Sequence, residues 1–131
     1  MSSIAKENCL TFKAGTDIPR GHLVKMGANK ETVVVCTAAT DLIIGVAMTG
    51  NGIPGDAGEG VLAGDHVEVA LVGGGCRPKA GGTIAAGSLL TSDGTGRAIA
   101  TTTPGNRYIA TAMEDAVVGD LFSAHAAAGL I

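Results

Sequence analysis

The sequence predicts an all-β fold, a small β-barrel or sandwich of two pseudo-repeated halves with short strands and Gly-rich turns. Three blocks recur in the same order, at offsets of 66, 65 and 55: residues 13–24 as 79–90, residues 44–48 as 109–113, and residues 64–65 as 119–120. Six of the twelve positions in the first block are identical. Because a solenoid generally needs about three repeats or more, two copies predict two related halves of one fold.

Short β-rich runs at regular spacing support this fold class. Glycine or proline interrupts nearly every window long enough for a helix, and strands every 8–12 residues or so are typical of a sandwich or barrel. The predicted strands are 10–13, 23–26, 32–37, 43–49 and 65–72, then 76–79, 89–92, 97–102, 108–114 and 120–126. The alanines within 121–130 favour a helix, but the register with the first half predicts a strand there.

The connections between these runs carry turn chemistry. Residues 93–96, Asp-Gly-Thr-Gly, predict a hairpin turn whose glycines supply positive φ, and residues 27–30 occupy the equivalent place in the first half. The pattern Gly-x-x-Ile-x-x-Gly-x-Leu occurs at 15–23 and again at 81–89. We interpret it as a tight arch whose isoleucine points into the core.

The repeats also set the predicted organisation of the chain. We expect an N-terminal arm at residues 1–12 and a single β domain at 13–131, with pseudo-repeats at about 13–72 and 79–127. Fifteen residues separate Met48 from Gly64, but five separate Met113 from Gly119. The resulting Gly-rich excursion at 49–63 is either a functional loop, as long loops on compact folds often are, or an idle surface loop.

Composition limits the class of partner. Charged residues make up 16% of the chain, against about 25% in a typical soluble domain. Apolar residues reach 46%, which favours a surface that packs against copies of itself or a larger partner. Alternatively, the composition reflects the codon bias of a genome that favours Ala and Gly. The net charge of −3 without a basic stripe disfavours nucleic acid. No apolar run is long enough to cross a membrane, and the N-terminus does not resemble a signal peptide.

Few aromatic residues and an odd number of cysteines shape the expected interior. With Phe12, Phe122 and Tyr108 as the whole aromatic set, the core is predicted to consist of Val, Leu, Ile, Ala and Met. The cysteines, at positions 9, 36 and 76, include no C-x-x-C pair. For a chain made in a reducing cytosol, this predicts buried, unpaired thiols and no metal site.

No reaction centre can be assembled from the sequence. Residues 50–55 match G-x-G-x-x-G, but no helix is expected after them to receive a pyrophosphate, so no dinucleotide cofactor is predicted. Residues 73–79 are better explained as a linker than as a phosphate loop, because Pro78 removes an amide donor. Asp65 and Asp120 are interpreted as turn acceptors. The three histidines, at 22, 66 and 125, form no motif, and no enzymatic activity is predicted.

The recurring blocks resemble a known family. The arch, a short strand, a Gly-containing turn, Ile-Gly-Val-Ala at 44–47 and Gly-Asp-x-Val-x-Val at 64–69 are similar to the capsid cement, or head decoration, proteins of tailed bacteriophages. The resemblance covers most of residues 10–126. It implies a small β-barrel-like protein that binds the outer surface of the mature head as an oligomer and stabilises contacts between major capsid subunits. The low charge and high apolar fraction of the chain predict that this oligomer is a homotrimer or homodimer.

Two other classes stay open at this point. A β-clip-like receptor- or carbohydrate-binding module would present exposed aromatics, and Tyr108 is the one plausible platform. A small enzyme subunit would need an acid/base constellation that is missing. For the cement hypothesis, we expect the arm and the excursion to carry the partner contacts, through Ile4, Lys6 and Leu10 in the arm and Ile53 and Pro54 in the excursion.

Overall fold

The computed structural model describes residues 9–48, 60–71, 73 and 75–130. This part of the chain contains twelve β-strands and no α-helix. The strands are β1 (Cys9–Ala14), β2 (Ile18–Pro19), β3 (Leu23–Met26), β4 (Thr32–Val35), β5 (Ile43–Ala47), β6 (Gly60–Val61), β7 (His66–Ala70), β8 (Gly75–Cys76), β9 (Leu89–Ser92), β10 (Ala98–Ala100), β11 (Arg107–Ala112) and β12 (Ala124–Leu130).

The first half closes into a barrel in the order β1-β4-β3-β5-β7. Strand β1 pairs with β4 in parallel and with β7 in antiparallel fashion, and these two ladders complete the circle. The short strands β2 and β6 form a separate pair in which Ile18 lies opposite Val61. Ile18 is fully buried, as the arch predicts.

The second half repeats these neighbours in the order β10-β9-β11-β12-β8. Single bridges replace the missing ladders: Ala80 pairs with Ala98 in parallel, and Lys79 pairs with Leu121 in antiparallel fashion. Ile84 bridges Ala116, as Ile18 pairs with Val61 in the first half. The strand order is therefore the same in both halves, and the prediction of two pseudo-repeated halves is confirmed.

Backbone hydrogen bonds repeat with the offsets found in the sequence. The Gly21 amide donates to the Ala47 carbonyl at 2.9 Å, and the Gly87 amide donates to the Ala112 carbonyl at 2.8 Å. In the same way, the Gly64 amide bonds Ala14 at 2.8 Å and the Gly119 amide bonds Ala80 at 2.9 Å. The repeat is thus carried by the ladder itself, and side chains can differ between equivalent positions.

Two apolar clusters form the core. One fills the first barrel around Val24, Val67 and Val69, while the other joins Leu23, Val46 and other first-half residues to the second half. Full burial of such a side chain contributes about 1.5–3 kcal/mol relative to exposure. Methionine was expected in the core, but the three described methionines are exposed: Met26, Met48 and Met113. Beta-branched residues, leucine, alanine and Phe122 fill the interior instead.

Three boundaries differ from those predicted. Residues 9–12 were assigned to an arm, but they belong to β1, because the backbone from Cys9 to Lys13 pairs with β7. The strand predicted at 120–126 begins at Ala124 and runs to Leu130, paired with β11, so the helical tendency of its alanines is overridden by the ladder. Part of the excursion at 49–63 forms β6 and the following turn, while residues 49–59 lie outside the described part.

Candidate partner-binding surfaces

Two equivalent turns present apolar side chains to solvent. One turn, at residues 62–65, follows β6. The other, at residues 117–120, follows the bridge residue Ala116. Leu62 is 60% exposed, and Val117 and Val118 are each 58% exposed. We call these three side chains the turn tips. The fold does not need Leu62 and Val117 to be apolar, because the first position of such a turn contributes its carbonyl and not its side chain.

Glycine and backbone bonds fix the shape of both turns. The Asp65 amide donates to the Leu62 carbonyl, and the Asp120 amide donates to the Val117 carbonyl, both at 3.0 Å. Gly64 and Gly119 occupy the third position with φ of 95° and 91°, a conformation that glycine adopts without strain. The Asp120 carboxylate also accepts the Val117 amide at 3.1 Å, which confirms its predicted role as a turn acceptor. At Asp65 the backbone carbonyl serves instead, accepting the Ala14 amide.

A second apolar surface is a cleft between the halves. It encloses about 340 Å³ and is lined by Met48 and Met113, with Gly75, Cys76, Arg77, Ser123 and Ala124. Met48 and Met113 are equivalent residues of the repeat, and each directly follows an equivalent strand, β5 or β11. Flexible methionine side chains adapt to partners of varied shape. We call this the methionine cleft.

The residues predicted to contact partners are placed only in part. Ile4, Lys6, Ile53 and Pro54 lie outside the described residues. Leu10 lies in β1 and is 53% exposed, although it belongs to the barrel and not to an arm. The turn tips were missed, because Leu62 falls in the excursion at 49–63 and Val117 falls between the strands predicted at 108–114 and 120–126. The signal that could have revealed them was an apolar pair before each repeated Gly-Asp.

The described residues show neither a reactive thiol nor a cluster of metal ligands. Cys36 and Cys76 are free and buried, as predicted, and burial raises the pKa of Cys36 to about 12 and that of Cys76 to about 11. Both thiols are therefore protonated and unreactive at neutral pH. No group of three His, Cys, Asp or Glu side chains in this part of the chain is placed to hold a metal ion. It also contains no helix of the length and hydrophobicity needed to cross a bilayer.

Tyr108 does not stand free as a sugar platform. It lies opposite Gly129 on the β11–β12 ladder, and a Cβ at Gly129 would overlap the tyrosine ring. The ring therefore packs over the glycine and is half-buried. One face of the aromatic ring is used inside the protein, which disfavours the carbohydrate-binding alternative.

His22 is a buried histidine at the contact between the halves. It is 8% exposed, and its Nδ1 lies 3.4 Å from the Arg20 carbonyl oxygen. Burial lowers the pKa of His22; the Arg20 carbonyl opposes the shift, Lys79 and Arg97 add to it, and Asp93 opposes it. The folded protein therefore holds this imidazole neutral below the pH at which an exposed histidine becomes charged.

We expect the free energy of unfolding to fall as the pH drops below about 6.5, the usual histidine value. Below that pH, His22 binds a proton in the unfolded chain but not in the folded protein. The contribution of His22 to the free energy of unfolding is therefore fully present above that pH and is lost below it, by up to about 1.4 kcal/mol per pH unit. His22→Ser, which copies the equivalent Ser88, should flatten this dependence. Urea unfolding at pH 5, 6 and 7 measures it, and an unchanged slope in the variant would contradict the assignment. The carboxyls of Asp41 and Asp93 have lowered pKa values and act only in a more acidic range.

Comparison with known proteins adds two findings. A family model described as phage cement protein matches residues 4–126. Among solved structures, the chain is similar to the N base of the head fiber gp8.5 in bacteriophage phi29, with a TM-score of 0.66 and 21% identity over 91% of this chain and 92% of that chain. At this identity the likeness shows a shared fold. No curated protein sequence matches the chain.

Proposed function

The chain belongs to the phage cement protein family, structural proteins of the virion that stabilise the capsid, and we propose that it acts from the outer surface of the mature head. There it would hold neighbouring major capsid subunits together against the pressure of packaged DNA. The observation that carries this proposal is the family match over residues 4–126. Synthesis in the host cytoplasm fits the free, buried thiols Cys36 and Cys76.

The turn tips support contact with the coat. Leu62 in one half and Val117 and Val118 in the other are exposed apolar side chains on rigid, glycine-shaped turns. A rigid apolar projection loses little conformational entropy when a partner covers it. Two such projections on one chain could engage two sites on the coat, which is what a clamp between neighbouring subunits requires.

The chemistry of the described residues favours a purely structural role. The free thiols of Cys36 and Cys76 are buried, and burial lowers the pKa of His22 so that it stays neutral. The net charge of −3 gives the chain no electrostatic attraction to DNA. We propose that it has no enzymatic activity and no nucleic-acid partner, and that it acts as a homodimer or homotrimer.

The N-terminal segment and the excursion are proposed to add contacts to the coat. The N-terminal segment supplies apolar and charged groups through Ile4, Lys6 and Leu10. The excursion supplies Ile53 and Pro54 within a Gly-rich run. Deleting residues 2–8 should leave the barrel folded, because β1 begins at Cys9. The deletion should weaken head binding at least tenfold, which corresponds to about 1.4 kcal/mol. Circular dichroism reads the fold and co-sedimentation reads binding; parental affinity would remove the segment from the contact.

Co-sedimentation with heads that lack their cement protein tests the proposal as a whole. The purified protein should pellet with such heads at a fixed ratio to the coat protein and should saturate. Heads decorated in this way should release their DNA at a higher temperature than bare heads. Failure to pellet, or binding to empty precursor shells and mature heads alike, would overturn the proposed action on the mature outer surface.

A further inference from the structure

The two halves pack head to tail through one backbone strip. The Lys79 amide donates to the Gly21 carbonyl at 2.9 Å, and the Leu23 amide donates to the Gly96 carbonyl at 2.7 Å. Residues 21–23 of the first half thus lie between Lys79 and Gly96 of the second. We call residues 21–23 the strip and the pair Lys79 and Gly96 the slot.

The first half has an equivalent slot, and it is closed. Lys13 and Glu31 correspond to Lys79 and Gly96, and here the Lys13 amide donates directly to the Glu31 carbonyl at 2.8 Å. Glu31 has φ of 58°, the left-handed conformation that Gly96 adopts with φ of 89°. One molecule therefore shows the same slot in two states, filled in the second half and empty in the first.

The second half has an equivalent strip, and it is uncovered. Residues 87–89 correspond to 21–23. Among the described residues, neither the Gly87 carbonyl nor the Leu89 amide has a backbone partner, although their counterparts Gly21 and Leu23 are both bonded across the halves. A Cβ at Gly21 would overlap Leu121, whereas a Cβ at Gly87 would meet nothing within 4 Å.

The first half exposes apolar side chains at positions whose equivalents in the second half are covered. Leu10 is 53% exposed, and its equivalent Cys76 is 4% exposed in the shared core. Leu42 is 65% exposed. Its equivalent Arg107 donates its amide to Ala39 of the first half at 3.0 Å. The first half thus exposes apolar groups at positions whose equivalents in the second half lie against the first half.

We propose that the occupant of the free slot is a second copy of this chain, whose strip at residues 87–89 inserts between Lys13 and Glu31. The insertion replaces one hydrogen bond, between Lys13 and Glu31, with two, and gives partners to the Gly87 carbonyl and the Leu89 amide. Each copy offers one free strip and one free slot, so the contact is heterologous and is satisfied fully in a closed ring. This inference rests on the homo-oligomer proposed above but not on binding to the head.

Engineered cysteines test the register of this contact. Within the chain, a Cβ at Gly96 would lie 3.4 Å from the His22 ring. The equivalents of these two residues are Glu31 and Ser88, which the proposal makes neighbours between copies. We expect the Glu31→Cys, Ser88→Cys double variant to form covalent rings of two or three copies on mild oxidation. A mixture of the two single variants should give covalent dimers and nothing larger.

Each outcome of the oxidation experiment decides the proposal. Wild-type protein sets the background from the native thiols. If either single variant forms covalent dimers alone, the copies associate through identical faces and the proposal is wrong. If the double variant stays uncrosslinked above that background, both in solution and on decorated heads, the strip does not enter the slot. Co-sedimentation of the unoxidised variants measures head binding separately, so the two proposals can fail independently.

A matched pair of aspartate variants provides a readout without cysteines. Leu42→Asp places a charge at a position whose equivalent, Arg107, lies against the other half, and should weaken self-association at least tenfold in sedimentation velocity. Leu62→Asp changes a leucine of similar exposure, 60% against 65%, on a turn tip that the proposal assigns to the coat and not to the second copy. It should leave self-association unchanged. Equal effects of the two variants would contradict the assignment of the slot.

Discussion

The Gly45→Ala variant is expected to lose about 3 kcal/mol of its free energy of unfolding, because a buried methyl group has no room there. Gly45 lies in β5 opposite Val24, and a Cβ at this position would overlap the Ala70 carbonyl oxygen and the Val69 side chain. The carbonyl belongs to the neighbouring strand β7, so the barrel backbone itself must shift. A loss of this size is a large part of the total stability of a domain of this length.

Gly94→Ala is the matched control. Gly94 lies in the turn between β9 and β10, has no positive φ, and would place a methyl group where no other atom lies within 4 Å. Its replacement should change stability by about 0.5 kcal/mol or less. Both variants are measured by urea denaturation against wild type. Equal effects at the two glycines would show that the close approach of β5 to β7 does not limit the barrel.

The double variant Leu62→Asp, Val118→Asp is expected to bind heads at least about a hundredfold more weakly, a loss of about 2.8 kcal/mol. Both side chains are turn tips, one in each half, and an aspartate there would place an unpaired charge within the proposed apolar contact. Because both residues are exposed in the free chain, folding should be unaffected.

The control for this variant keeps the turns apolar. Leu62→Met with Val118→Ile changes the shape of the tips and not their polarity, so binding should stay within a factor of about three of wild type. Co-sedimentation over a range of protein concentrations gives both affinities, and circular dichroism confirms folding. If the aspartate variant binds like the control, the turn tips do not contact the coat.

The repeat made much of this fold predictable. Offsets of 66, 65 and 55 correspond to equivalent hydrogen bonds, such as those of Gly21 and Gly87. The burial of Ile18 and Ile84 followed from the arch pattern, because the isoleucine is its one invariant large apolar residue before the closing leucine. The alanines of β12 favour a helix by intrinsic propensity, but pairing with β11 makes this segment a strand.

The parts that could not be predicted depend on the backbone. The contact between the halves uses the Lys79 and Leu23 amides, and a backbone bond leaves no side-chain signature in the sequence. Strands β2 and β6 have two residues each, too few for an alternating pattern. The exposure of Met26 also has no signature in the repeat, since its equivalent Ser92 is buried.

Cryo-electron microscopy of mature heads decorated with the purified protein tests the central claim most directly. The account predicts density for this fold on the outer surface, with the turns at residues 62–65 and 117–120 against major capsid subunits and neighbouring copies in contact with each other. Density on the inner surface, or isolated copies that touch the coat through other parts of the barrel, would contradict it.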